Sequence, residues 1–87
     1  MSNKYEQIPD HIIDLHGYTT AEAERELNLL FKSGKYKHIR IITGKGADRS
    51  GPILREFVKN HLNAYYIRFN IAKREHGGDG ALEVLLS

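Results

Sequence analysis

Two β-rich runs, HIIDLH (11–16) and HIRIIT (38–43), flank a segment in which Ala23, Leu27, Leu30 and Phe31 recur at i, i+4, i+7 and i+8. The apolar period changes from two to 3.6 and back within about thirty residues, the pattern of a strand, a crossover helix and a second strand. Local signals fix the ends of that helix. Thr19 and Glu22 stand at capping-box spacing, and Gly34 supplies a stop. After HIRIIT comes the loop GKGADRSG (44–51). Pro52 then suits the first turn of a second helix, with Ser50 or Gly51 as its cap and Ile53, Leu54, Phe57, Val58 and Leu62 as its inward face. Residues 64–71 alternate Tyr65, Ile67, Phe69 and Ile71 against Tyr66, Arg68 and Asn70, which predicts a third strand. The loop AKREHGGDG (72–80) separates it from a fourth strand over 81–86.

The order βαβαββ predicts a two-layer α/β sandwich, a four-stranded mixed sheet with two helices on one face. The first two crossovers favour parallel pairing and the last two strands an antiparallel pair. The other face of the sheet is expected to be at least partly open. At 87 residues and 40% apolar composition, the chain has one core, and a domain of this size buries only about 60% of its unfolded surface. Residues 1–10 are polar up to Pro9 and read as a flexible arm, so the domain is expected to cover 11–87.

The chain has no cysteine, which removes disulfide frameworks and thiolate metal sites and fits a reducing, cytoplasmic setting. No apolar run approaches the length of a membrane span, and the N-terminus lacks the layout of a signal peptide. Net charge is +2, but its distribution is uneven. Between Glu6 and Glu26 six acids meet one base; from Lys32 to Arg74 eleven bases meet two acids, Asp48 and Glu56. A basic patch suited to a phosphate backbone follows from that asymmetry.

Three groups of residues carry chemistry. On the first strand, alternation places Ile13 and Leu15 on one side and Ile12, Asp14 and His16 on the other. A carboxylate beside an imidazole fixes its tautomer and favours its charged form, as a general acid or base near neutral pH requires. Thr43, Gly44, Lys45 and Gly46 sit between a strand end and a helix start, where glycines let backbone N–H groups approach a phosphate and Lys45 adds a mobile cation. Arg49 lies in the same loop. The spacing matches neither GxxxxGK[ST] nor GxGxxG, so a nucleotide cofactor is not expected. Lys73, Arg74 and His76, among the glycines of the third loop, suit a basic grip on a polynucleotide. His11, His38 and His61 read as structural or solvated, and a metal held by His11, Asp14 and His16 is disfavoured because His11 falls on the opposite face.

IIDLHGYTTAEA, IRIITGKG and GGDGALEVLL, taken in order, resemble the small MutS-related (Smr) domain family from Ile12 to Leu86. The marks are DLHG at the end of the first strand, the Glu22–Ala23 pair, the glycine-lysine-glycine loop and the glycine-rich ending. The resemblance implies a fold similar to the C-terminal domain of bacterial translation initiation factor three, here as an Smr domain standing alone, and endonuclease activity on DNA or RNA. It assigns the acid and the histidine of DLHG to Asp14 and His16, and the loop to Gly44, Lys45 and Gly46. Many members carry histidine where this chain has Thr43, so the second proton donor would be Lys45, His76 or solvent. The expected partner is structured or ribosome-associated RNA, or DNA, and not a membrane. No cofactor is required for attack by a ribose 2′-hydroxyl, whereas DNA hydrolysis recruits a divalent ion such as Mg²⁺. The alternative is a non-catalytic nucleic-acid- or ribosome-binding module.

Overall fold

The computed structural model describes residues 8–44, 50–76 and 78–86. The elements are β1 (His11–Asp14), α1 (Thr20–Ser33), β2 (His38–Ile42), α2 (Ser50–Ala64), β3 (Arg68–Ile71) and β4 (Ala81–Leu85), with two 3₁₀ turns, Arg74–His76 and Gly78–Gly80, between β3 and β4. The predicted βαβαββ order is therefore the one adopted.

α1 starts where its sequence says. The Thr19 N–H donates to Glu22 Oε1 (2.9 Å) and the Glu22 N–H to Thr19 Oγ1 (3.1 Å), satisfying two donors that a helix start would leave without partners. At the other end Gly34 takes φ 66°, and its N–H donates to the Phe31 carbonyl, the left-handed stop that glycine adopts without a Cβ penalty.

The sheet has the order β1-β2-β4-β3. β1 and β2 are parallel, with His11 opposite Ile39 and Asp14 opposite Ile42. β4 runs antiparallel to both β2 and β3, so the crossover through α2 skips one strand position and β4 fills it. Leu15, Ile39, Ile41, Leu82 and Val84 face the helices and pack on Ala23, Leu27, Leu54, Val58 and Leu62.

The helix-free face is only partly open. Glu83 lies there, opposite Arg40, yet is 1% exposed. Its Oε1 is 2.5 Å from His38 Nε2, and its Oε2 accepts from Arg40 Nε at 2.6 Å. Asp10, just before β1, accepts the backbone N–H groups of Lys37 and His38 at 2.9 and 3.1 Å. Those bonds hold its carboxyl below the usual value.

Several boundaries differ from expectation. α2 already includes Ser50 and Gly51, so neither is its cap, and Ile53 is 61% exposed rather than inward. α2 also continues through Ala64, where alternation predicted the start of a strand, and β3 begins only at Arg68. Backbone bonds decide this: Tyr66 N–H donates to Asn63 O (3.1 Å) and Ile67 N–H to Leu62 O (2.9 Å), the paired arrangement that closes a helix. It places Tyr66 at φ 59°, a left-handed conformation that costs a non-glycine residue about 1 kcal/mol. His61 is buried, its Nε2 3.0 Å from Asn28 Oδ1 and its ring centroid 5.0 Å from that of Tyr65.

Candidate nucleic-acid site

Because β1 and β2 are parallel and β4 is antiparallel to β2, the ends of β1 and β2 and the start of β4 meet at one edge of the sheet. The Leu15 N–H donates to the Ile42 carbonyl at 2.7 Å, extending the β1–β2 ladder past Asp14. The chain then turns: Tyr18 N–H donates to Leu15 O at 2.9 Å, and Gly17 adopts φ 83°, which a side chain would oppose.

That turn folds His16 back onto Asp14. Asp14 Oδ1 accepts the His16 backbone N–H at 3.0 Å and lies 2.9 Å from His16 Nδ1. The backbone bond first, then the ring bond, hold the Asp14 carboxyl below its ordinary value against an opposing contribution from burial. An ionised carboxylate can only accept, so Nδ1 carries the proton and Nε2 of the neutral ring bears the lone pair. The His16 side chain is 70% exposed, within reach of a large substrate.

Gly44 brings the second loop against the first. A Cβ on Gly44 would sit 3.3 Å from His16 Cβ, at φ 93°. Gly44→Ala is therefore expected to destabilise the domain by on the order of 1 kcal/mol or more and to move the His16 ring. Chemical denaturation and the His16 ring resonances check the two effects.

The Gly80 carbonyl gathers this loop. It accepts from Thr43 N–H at 2.8 Å, Gly44 N–H at 3.1 Å and Thr43 Oγ1 at 3.4 Å. Thr43 is consequently 1% exposed, and its side chain anchors the loop instead of facing a phosphate. The Gly44 amide is likewise occupied by Gly80 and is not presented to an anion. Lys45, Gly46 and Arg49 lie outside the described residues.

The third loop stands at the same edge. Ala72 N–H donates to Ala81 O, while the N–H groups of His76 and Gly78 both donate to Lys73 O at 2.8 and 2.9 Å. Lys73 and Arg74 are exposed and His76 half-buried. Their loop runs from β3, three interstrand spacings or about 14 Å from β1, back to β4, whose neighbouring Gly80 bonds Thr43 and Gly44. The structure thus joins Asp14, His16, Thr43 and Gly44 and puts the loop of Lys73, Arg74 and His76 at the same edge of the sheet.

One feature escaped the sequence reading. A groove of about 320 Å³ lined by Tyr18, Glu22, Arg25 and Glu26 opens on α1 just beyond the Gly17 turn. The aromatic residue directly after DLHG was its signal, obscured because Glu22 already had a capping role. Among the described residues, no group of three or more His, Cys, Asp or Glu side chains is placed to hold a metal ion, and no helix is long and apolar enough to cross a membrane.

Comparison with known proteins agrees with this fold. The family model described as Smr domain matches residues 13–87. The ribosome rescue factor SmrB of Tolumonas auensis is 32% identical over 82 residues, covering 91% of this chain and 46% of the relative. The chain thus spans about half the length of the curated relative it matches. Among solved structures, the Smr domain of Thermus thermophilus MutS2 superposes with a TM-score of 0.76 at 27% identity, covering 88% of this chain and 98% of that one. The human small-MutS related domain gives 0.70 at 24% identity, covering 86% and 99%, a likeness of fold alone.

Proposed function

The chain belongs to the Smr domain family, and from that premise we propose that it binds structured nucleic acid and cuts it endonucleolytically at the edge of the sheet that carries His16. The observation that supports this reading best is the double hold of Asp14 on His16, which orients the ring and leaves Nε2 as a base. We favour RNA, in a ribosomal setting, over DNA, and the relative named a ribosome rescue factor supports that choice.

On RNA the step is a transesterification. Nε2 takes the proton of a 2′-hydroxyl, the 2′-oxygen attacks the neighbouring phosphorus, and the 5′-oxygen leaves with a proton from Lys45, His76 or water. A 2′,3′-cyclic phosphate and a 5′-hydroxyl result. Lys45, directly after Gly44, would offset charge growing on the phosphate. On DNA the same base would activate water, with a divalent ion such as Mg²⁺ at the phosphate.

A non-catalytic, ribosome-binding role has one observation in its favour: Thr43 and the Gly44 amide are both engaged by Gly80, which withdraws two groups from a phosphate cradle. Matched RNA and DNA hairpins, incubated with and without chelator, separate the readings. The nuclease reading expects RNA cleavage that persists in chelator and stops when the ribose at the cut site is replaced by deoxyribose. Binding to both hairpins with no cleavage of either, with or without Mg²⁺, would establish the binding module instead.

A further inference from the structure

The opposite end of the sheet exposes two consecutive tyrosines. Tyr66 occupies the left-handed position of the α2 stop, φ 59°, where glycine is the usual residue. It is also 95% exposed, so burial returns nothing for the strained backbone. Strain retained without a packing gain points to a role outside the fold.

Two hollows open on either side of Ile67. The first, about 300 Å³, is lined by Tyr65, Phe31, Asn28 and Lys32 as well as Ile67. The second, about 230 Å³, is lined by Tyr66, Arg68, Leu85 and Leu86 as well as Ile67. Each therefore combines apolar surface, one tyrosine and one cation, and neither lining includes a carboxylate. Leu86, in the lining of the second, donates its N–H to the Lys37 carbonyl at 2.7 Å. The nearby Asp10 carboxylate is engaged by the Lys37 and His38 amides.

We propose that this turn is a second nucleic-acid contact, in which two unstacked bases of a single strand enter the hollows against Tyr65 and Tyr66 while Lys32 and Arg68 take the phosphates. An aromatic face accepts any base, and adjacent cations hold the backbone, the combination by which proteins bind single strands. The two cations and the absence of lining carboxylates favour a polyanion over a protein partner. The five residues of β2 separate this end from the His16 end by about 16 Å along the strands, and β3 lies three spacings, about 14 Å, across the sheet from β1, so a strand engaging both spans several nucleotides. The inference rests on the reading of the domain as a nucleic-acid binder, but not on cleavage.

The test is fluorescence anisotropy with labelled single strands that the proposed 2′-hydroxyl chemistry cannot cut, 2′-O-methyl RNA and DNA, with the full chain and its Tyr65→Ala, Tyr66→Gly and Arg68→Ala variants. Tyr66→Gly puts the favoured residue at the left-handed position, so its fold is retained and a melting curve verifies that. Each tyrosine replacement is expected to weaken binding about tenfold or more. The difference should disappear on an abasic strand of equal charge, and Arg68→Ala should flatten the salt dependence. If the parent binds and both tyrosine variants bind as tightly, the proposal is overturned while the nucleic-acid reading stands. Equal tyrosine effects on abasic and base-bearing strands refute stacking, and tyrosines needed only for a protein partner overturn the proposal too. A parent that binds labelled hairpins but not single strands overturns the proposal alone, and one that binds neither overturns the reading of the domain itself.

Discussion

His16→Ala is expected to lower the cleavage rate by about 10² to 10⁴-fold, the range that one positioned acid or base supplies, while leaving substrate affinity within a few-fold of the parent. The side chain is exposed and carries no core packing, so its loss should leave the melting temperature nearly unchanged. Added imidazole should restore part of the rate, because the missing group is a base and its place becomes an opening to solvent.

Asp14→Asn tests the second half of the device. Asparagine can still accept the His16 backbone N–H, but it has no charge and can offer its amide N–H to Nδ1. The ring tautomer would then reverse, leaving Nε2 protonated and unable to take a proton. The rate should fall with little change in KM. In the parent, the His16 bonds keep the Asp14 carboxyl below its ordinary value of 3.8. Its contribution to stability is therefore full above that pH and is lost as the pH falls through the lower folded value. Asp14 stays anionic from about pH 5 to 9 and adds no limb to the rate profile there. A His16→Ala protein that cuts as fast as the parent would remove His16 from the chemistry.

Where sequence succeeded, the cause was local. The α1 cap needs only Thr19 and Glu22 three residues apart, and the Asp14–His16 bonds span two residues. Alternation over 11–16 predicted that pair on one face, but β1 ends at Asp14 and it is the turn after it that brings His16 back to the carboxylate. The rest depends on long-range pairing. No pattern in residues 38–51 shows that the Gly80 carbonyl binds Thr43 and Gly44; that follows only once β4 is inserted beside β2. The expectation that Thr43 faces a phosphate came from its position in the loop, and its burial from the topology. At 64–71 two local codes compete: side-chain alternation favours a strand, while the main-chain bonds of residues 62–67 finish a helix. Tyr65 belongs to the second because it packs on buried His61.

Glu83 was silent in the sequence for a related reason, since its alternation with Leu82 and Val84 places it on a face expected to be open. Glu83→Ala should be the most destabilising single change on that face, by about 3 to 5 kcal/mol, a large part of the roughly 5 to 15 kcal/mol that holds a small domain together. The cost arises from what remains. Arg40 and His38 have side chains only 12% and 18% exposed, and both would lose the carboxylate that compensates their removal from water. Urea unfolding should show a lower midpoint at an unchanged slope. Replacing all three groups with apolar residues, as His38→Leu, Arg40→Met and Glu83→Leu, should restore the midpoint, because no charge is left to desolvate. The ion cluster joins β2 to β4, the same seam at whose end Gly80 holds Thr43 and Gly44 beside His16. Amide exchange at Gly44 should therefore quicken in Glu83→Ala and slow again in the triple variant. An Ala variant within 1 kcal/mol of the parent, with Gly44 exchange unchanged, would show that the seam does not depend on this carboxylate.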